Sequence, residues 1–219
     1  LDVHKICFII PVTDMKKFHE AQGYIEKLTV PAGFQVEILS LSAYRSMAES
    51  YNEAMLRKNA KYKVYMHQDV GIIHREFIVR LVDLFCAHAE IGIAGVVGSA
   101  ELPESGVWWE AKQLLGAIYD DHQGKMAPYI YSSSAALYQQ AGALDGLLLA
   151  TQYDLPWRED LFTSWHFYDI SQCMEFQRAG YEAVVLGQRS PWCIHKCGQK
   201  FLGADYELER QNFVREYRC

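Results

Sequence analysis

His67, Gln68 and Asp69 stand together where the apolar run Tyr62 to Met66 ends and Val70-Gly71 begins. A carboxylate in the turn after a buried strand is placed to hold a divalent cation against a diphosphate. Mg²⁺ or Mn²⁺ needs only one or two protein carboxylates when phosphate oxygens fill the remaining positions. The same aspartate equally suits a turn and helix cap. Further along, His166 and Asp169 lie three apart at an apparent helix start, a spacing that puts them on one face. Asp169 also fits a capping role for the free N–H groups there, and His166, set among Trp165, Phe167 and Tyr168, also fits a packed imidazole. Cys193, His195 and Cys197 alternate along a short segment, which on a strand turns all three to one side and offers soft ligands to Zn²⁺. A closed zinc site wants about four ligands, and no second cysteine pair stands at suitable spacing. Arg45 and Lys200 are single cations able to meet a diphosphate or to lie solvated on the surface.

Positioning such residues falls to a strand and helix alternation. Ile6 to Val12 reads as a strand. Thr13-Asp14 then caps a helix carrying Phe18, Ala21, Ile25 and Leu28 at helical spacing, and Gln35 to Leu41 is a second strand. Ser46 with Glu49 forms a capping box for a helix with Met47, Tyr51, Ala54 and Met55 on one face. Tyr62 to His67 is a third strand. A turn at Gln68 to Gly71 leads to a helix bearing Phe77, Ile78, Leu81, Val82 and Phe85, and Ile91 to Val97 is a fourth strand. That alternation predicts a mainly parallel sheet covered on both faces. In such a sheet the ligand crevice lies outside the carboxyl ends of the strands, which singles out Val12 to Asp14, Leu41 to Arg45 and His67 to Asp69.

Beyond Gly98 the regularity breaks. Residues 100 to 128 read as loops with a short antiparallel excursion. An ordered stretch Tyr129 to Ala136, a short helix near Leu137 to Ala141 and an irregular segment Trp157 to Trp165 follow. The chain closes with a helix Tyr168 to Ala179 ended by Gly180, a strand Glu182 to Leu186 and a charged helix Ala204 to Arg218. Residues 1–219 are read as one domain, with a nucleotide-binding half to about residue 99 and an acceptor-facing half after it.

A net charge of -6, from 27 acidic and 21 basic residues, with no basic run, argues against nucleic acid as a partner. No apolar stretch reaches the roughly 20 residues of a membrane helix. The start Leu1-Asp2-Val3-His4-Lys5 lacks the regions of a signal peptide, so the expectation is a soluble, cytoplasmic chain. The 6 cysteines are scattered rather than concentrated, which argues against a disulfide framework; Cys7 and Cys86 read as small hydrophobes in apolar segments.

The segment order, and the turn Tyr65-Met66-His67-Gln68-Asp69-Val70, resemble the family 2 glycosyltransferases, whose third or fourth strand ends in Asp-x-Asp; here the second aspartate is kept and His67 replaces the first. Ser50-Tyr51-Asn52-Glu53-Ala54-Met55 is similar to the family's helix with an internal asparagine, and Ala141-Gly142-Ala143-Leu144-Asp145 to its Val-Gly-Gly-Phe-Asp step. Trp165 to Gln172 stands where the family has a Glu-Asp-x-Asp-Leu helix start, with His166-Phe167 in place of the acidic pair. Arg178-Ala179-Gly180-Tyr181 then matches, and Trp192-Cys193-Ile194-His195 falls where many members carry a histidine after the last strand. The likeness is nearest to the glycosyltransferase-like group of capsule and streptomycin-type biosynthesis. The acid that commonly contacts the nucleotide base after strand two has no counterpart in Ser40-Leu41-Ser42-Ala43.

The resemblance implies a GT-A-type α/β fold, a three-layer sandwich around a mainly parallel mixed sheet. It implies transfer of a sugar, with inversion, from a nucleotide-diphosphate sugar to a glycan or small-molecule acceptor, assisted by Mg²⁺ or Mn²⁺. The implied metal ligands are Asp69 and His195. The implied donor-binding set is Pro11, Val12, Thr13, Arg45, Asn52, His67, Gln68, Asp69 and Asp145, and the base is His166 or Asp169. Neutral imidazole, with an ordinary pKa of about 6.5, suits base work near neutrality, whereas an aspartate at about 3.9 needs desolvation; in the motif, Asp169 is the better positional match. Trp108, Trp109, Trp157 and Trp165 could stack on a sugar ring or pack in the core. The altered acidic positions leave a second reading, a degenerate domain that binds a sugar nucleotide or a protein without turnover. Homo-oligomerisation is compatible with either.

Overall fold

The computed structural model describes residues 1–42, 44–198 and 203–218. Its larger sheet has seven strands. In chain order these are β1 (Asp2–Pro11), β2 (Gln35–Leu41), β3 (Ala60–Met66), β5 (Ile91–Gly95), β9 (Tyr138–Gln140), β11 (Leu148–Thr151) and β12 (Glu182–Leu186). They lie in the order β2-β1-β3-β11-β5-β12-β9. β1 pairs in parallel with β2 and β3, and β12 with β5, while β11 and β9 run against their neighbours. The sheet is thus mixed but mainly parallel.

Alternation along β1 sets the layers. Ile6, Phe8 and Ile10 join one core with Phe18, Ala21 and Ile25 of α1 (Met15–Ile25) and with Phe77, Ile78, Leu81 and Phe85 of α3 (Phe77–Ala87). Cys7 and Ile9 point the other way. They join Met47, Tyr51 and Ala54 of α2 (Met47–Arg57) and Cys173 and Phe176 of α4 (Tyr168–Arg178). Two helical layers therefore sandwich the sheet, as a strand with period-two side chains and both faces covered requires.

The caps follow the sequence signals. Asp14 accepts hydrogen bonds from the Lys16 and Lys17 amides at the head of α1. Ser46 accepts one from the Glu49 amide at the head of α2, while the Glu49 carboxylate reaches back to the Arg45 amide rather than to that of Ser46. Gly180, at φ +87°, takes the left-handed position that ends α4.

A second sheet has the order β10-β6-β7-β13-β4, with β8 beside β7. Its strands are β4 (Val70–Ile72), β6 (Val97–Ser99), β7 (Leu114–Asp120), β8 (Ala127–Ile130), β10 (Ala143–Leu144) and β13 (Cys193–His195). β7 and β8 are the antiparallel excursion expected between residues 100 and 128. Three expectations change. Leu137 to Ala141 is no helix, because residues 138–140 pair as β9 against β12. Val70 leads not from a turn into a helix but into β4, which pairs with β13. Cys86 is exposed at the end of α3, beside the Tyr62 hydroxyl, rather than buried.

The closing helix α5 (Ala204–Tyr217) is anchored by Phe213, fully buried against Trp108, Phe162, Phe167 and Ile170. Among the described residues no helix is long and apolar enough to cross a membrane.

Candidate active site

A cleft of about 830 Å³ opens at the carboxyl ends of β1 and β3, between the main sheet, the second sheet and the head of α4. Pro11, Thr13, His67, Gln68, Asp69, Asp145, His166, Asp169 and His195 all line it. The two loops at its base are tied by Gln68, which accepts hydrogen bonds from the amides of Thr13 (2.9 Å) and Asp14 (2.8 Å) and donates to the Thr13 hydroxyl (2.7 Å).

The other expected donor-site residues stand elsewhere. Val12 packs against the core, Arg45 is held by Glu49 on the outside at 2.7 Å, and Asn52 closes a two-bond clamp on the backbone of Trp157. Each is already committed to a partner outside the cleft, which is why none lines it. Lys200 lies outside the described residues.

Strand pairing assembles the ionisable cluster. β13 lies between β4 and β7, so His195 is flanked by Asp69, next to β4, and by Asp120, at the end of β7. His195 Nδ1 is 2.9 Å from Asp120 Oδ2, and its Nε2 is 3.5 Å from Asp69 Oδ1. His195 and Asp120 are both buried. Asp120 also accepts hydrogen bonds from the His122 amide (2.6 Å) and from the Cys197 thiol (3.4 Å), and it pairs with His122 Nδ1 at 2.7 Å. Asp120 is a cleft residue that sequence reasoning missed. Its segment has no motif, and its role arises only when β7 pairs with a strand about 75 residues later.

Burial opposes charge on both partners, yet their mutual hydrogen bond prevails. His195, held by Asp120 and Asp69, is raised well above the ordinary imidazole range, and the Asp120 carboxyl is drawn well below the ordinary carboxylate range. An ionised Asp120 only accepts hydrogen bonds, so it fixes the proton on Nδ1 and leaves Nε2 turned toward Asp69. That Nε2 is buried and has no hydrogen-bond partner among the described residues.

His67 completes the group. Its Nε2 is 2.7 Å from the Tyr168 hydroxyl, its ring lies 5.7 Å from that of His195, and one ligand atom each from His67, Asp69 and His195 fall within 4.8 Å of one another. A buried imidazole nitrogen with no hydrogen bond among the described residues, facing a carboxylate at 3.5 Å and beside a second imidazole, fits a divalent cation that takes the place of its proton. Cys197 groups with Asp120 and His195 rather than with Cys193, which is buried in the hydrophobic core. The three-member set Cys193, His195 and Cys197 is therefore not brought together.

Asp169, which lines the same cleft, sits in the first turn of α4. Its carboxylate accepts hydrogen bonds from the amides of Gly146 (2.9 Å) and Ile170 (2.9 Å). Burial, reinforced by the nearby Asp145 carboxylate, pushes its pKa up to about 7. Gly146 must lack a side chain, since a Cβ there would collide with the Tyr168 hydroxyl.

Asp169 is not the helix cap. That position belongs to Phe167, which has no side-chain capping bond and a left-handed φ of 57°, a conformation costly for a bulky residue and characteristic of functional sites. The backbone before it is fixed from α5. Glu209, only 3% exposed, accepts hydrogen bonds from the Ser164 amide (2.8 Å), the Ser164 hydroxyl (2.7 Å) and the His166 amide (3.2 Å). The His166 ring projects to the rim, 3.6 Å from Asp205.

A family model described as "Glycosyltransferase like family" matches residues 7–217. No curated protein matches the sequence. Among solved structures, a mannosyltransferase of Pyrobaculum calidifontis in complex with GDP-Man and Mn²⁺ superposes with a TM-score of 0.57 and 13% identity, over 98% of this chain and 64% of that one. S. aureus TarS gives 0.59 and 12%, over 96% and 39%. TarS 1-349 in complex with UDP-GlcNAc gives 0.53 and 11%, over 92% and 60%. The chain thus spans less than two thirds of each of these proteins. At such identities the likeness is one of fold, a GT-A-type α/β architecture.

Proposed function

The chain belongs to this glycosyltransferase-like family, and from that premise we propose that it moves a sugar from a nucleoside-diphosphate sugar to an acceptor hydroxyl in the cleft, with Asp169 as base and a divalent cation held by His67, Asp69 and His195. The observation that carries the reading is the presence of two dissimilar groups in one cleft: a cation-fitting cluster backed by Asp120, and a carboxyl poised near neutrality at Asp169.

Asp169 is a better base than His166. A general base works best with a pKa near the working pH, and burial together with Asp145 brings the Asp169 carboxyl there. Its two backbone hydrogen bonds fix its orientation, whereas the His166 ring faces Asp205 at the rim.

In the proposed reaction the Asp169 carboxylate takes the proton of the acceptor hydroxyl as that oxygen bonds to the anomeric carbon. The bond from that carbon to the diphosphate oxygen breaks on the opposite side, so the configuration inverts. A bound cation supplies positive charge that neutralises the diphosphate oxygens. With its Nε2 proton displaced by the cation, His195 would be held through Nδ1 by Asp120, and His67 steadied by Tyr168. Two imidazoles with one carboxylate favour Mn²⁺ over Mg²⁺, which prefers an all-oxygen shell.

The test is calorimetric titration with GDP-mannose, UDP-GlcNAc and related donors, with and without Mn²⁺, on the parent and on Asp69→Ala. Metal-dependent binding lost in the variant supports the reading; binding and turnover that ignore both metal and mutation overturn the metal assignment.

Two observations favour a second reading, binding without turnover. Lys17 Nζ lies 3.4 Å from Asp69 Oδ2 and puts a positive charge at the cation position, while β2 ends without an acidic residue at the crevice. Donor affinity with no product for any acceptor, in the presence or absence of Mn²⁺, identifies that case.

A further inference from the structure

The tryptophans divide sharply. Trp108, Trp157 and Trp192 are buried at 7%, 2% and 8% exposure, whereas Trp109 and Trp165 are 46% and 42% exposed. Both exposed indoles line the cleft that holds Asp169. Tyr206 of α5 links the two sides. Its ring is 6.1 Å from that of Trp109 and 5.2 Å from that of His166, the neighbour of Trp165. The Tyr206 hydroxyl is buried with no hydrogen-bond partner among the described residues.

Large indoles left in water at the wall of a concave site are costly unless something covers them. A pyranose ring suits such a wall, because its apolar C–H face lies against an indole while its hydroxyls meet polar neighbours. The local charge narrows the choice. Glu110 adjoins Trp109, and Asp205 and Glu207 flank Tyr206. Asp169 and Glu110 are near enough to help burial push the Tyr206 hydroxyl up to about 12. Arg210, the nearby cation, is already engaged by Glu207 and the Ser105 carbonyl. A uronate or phosphate group entering here would meet carboxylates.

We propose that Trp109 and Trp165 form the acceptor subsite and that its occupant is a neutral pyranose glycan, stacked so that one hydroxyl reaches Asp169. The inference rests on the transfer reading for its name "acceptor", but the stacking site stands or falls separately.

The experiment is calorimetry on the full chain with neutral tetrasaccharides of glucose, mannose, galactose and N-acetylglucosamine, and with tetragalacturonate as the anionic counterpart. The same titrations are run on Trp109→Ala, Trp165→Ala and Trp165→Phe, and each protein is also titrated with GDP-mannose and UDP-GlcNAc in Mn²⁺. The expected result is binding of at least one neutral tetrasaccharide, weakened up to about tenfold by either alanine and largely restored by phenylalanine. Melting temperatures and any donor affinity should stay at parent values. The proposal is overturned if no neutral tetrasaccharide binds, if tetragalacturonate binds more tightly, or if the alanine variants bind as the parent does. Tryptophan-dependent glycan binding without any donor binding would leave the subsite standing and remove the transfer reading; donor binding without glycan binding would do the reverse.

Discussion

Asp169, half-buried, and Asp120, buried, are two carboxylates whose pKa values are driven in opposite directions by their surroundings. Burial and Asp145 raise Asp169 to about 7, so in the proposed role turnover climbs with pH as the carboxyl ionises and levels off above about 7. Asp169→Asn should remove turnover while leaving donor affinity intact; a variant that still turns over with the parent's pH profile contradicts the assignment. The same shift bears on stability. A carboxyl whose folded pKa lies above its unfolded value keeps a proton in the fold that the unfolded chain has lost, so its contribution to stability falls as pH rises from about 4 to 7. Across that window the parent should lose stability relative to Asp169→Asn, as read by denaturant midpoints at pH 5 and pH 8. In the proposed site Asp120 would act on the cation through His195. Asp120→Asn should weaken Mn²⁺ binding by about 10- to 100-fold, and an unchanged Mn²⁺ titration would falsify that role. Of these two residues only Asp169 was legible in the sequence, where a helix-start motif brackets it. Asp120 carries no local signal, because its partner is supplied by a strand distant in the chain.

At the level of elements, the helices and strands of the first half were readable because each carries its own periodicity and cap. Ser46 and Asp14 cap where expected, and β1 alternates its apolar residues between two cores. Most of the second sheet, and β9 at the edge of the main one, were not readable. β4, β6, β9 and β10 hold two or three residues each, too short for a period, and are defined by partners distant in the chain. Leu137 to Ala141 shows the consequence: its composition permits a helix, and pairing with β12 makes it a strand. Two internal ties can be tested at this scale. Lys63, fully buried on β3, is held by both oxygens of Asp154 at 2.7 and 3.0 Å and by the Ala60 carbonyl. Asp154→Ala should therefore cost about 3–5 kcal/mol of unfolding free energy by leaving a buried ammonium without its carboxylate. Glu209 links α5 to the segment that carries His166 and precedes the strained Phe167. Glu209→Ala should lower kcat more than it raises the donor KM, with Glu209→Gln recovering part of the loss; equal changes in both constants would mean that α5 merely stabilises the fold.

For the molecule as a whole, the two sheets divide the labour. The main sheet delivers Asp69 and the Thr13 loop at its carboxyl edge, as the crevice rule for open α/β sheets leads one to expect, and the second sheet delivers His195 and Asp120 from the side. The cleft between them carries both the cation-fitting cluster and the Asp169 carboxyl. Its location was legible from strand ends, whereas the meeting of His195 with Asp120 depended on pairings that no local pattern announces. A ligand that binds only the folded chain stabilises it by mass action. Donor with Mn²⁺ should accordingly raise the melting temperature of the parent in a concentration-dependent way. The most direct measurement is this shift, followed alongside calorimetry with GDP-mannose and UDP-GlcNAc, with and without Mn²⁺, in the parent and in Asp69→Ala. A Mn²⁺-dependent donor affinity that disappears in Asp69→Ala is the predicted result; affinity that persists unchanged without the metal and in the variant would contradict the central claim that the His67, Asp69 and His195 cluster builds the donor site.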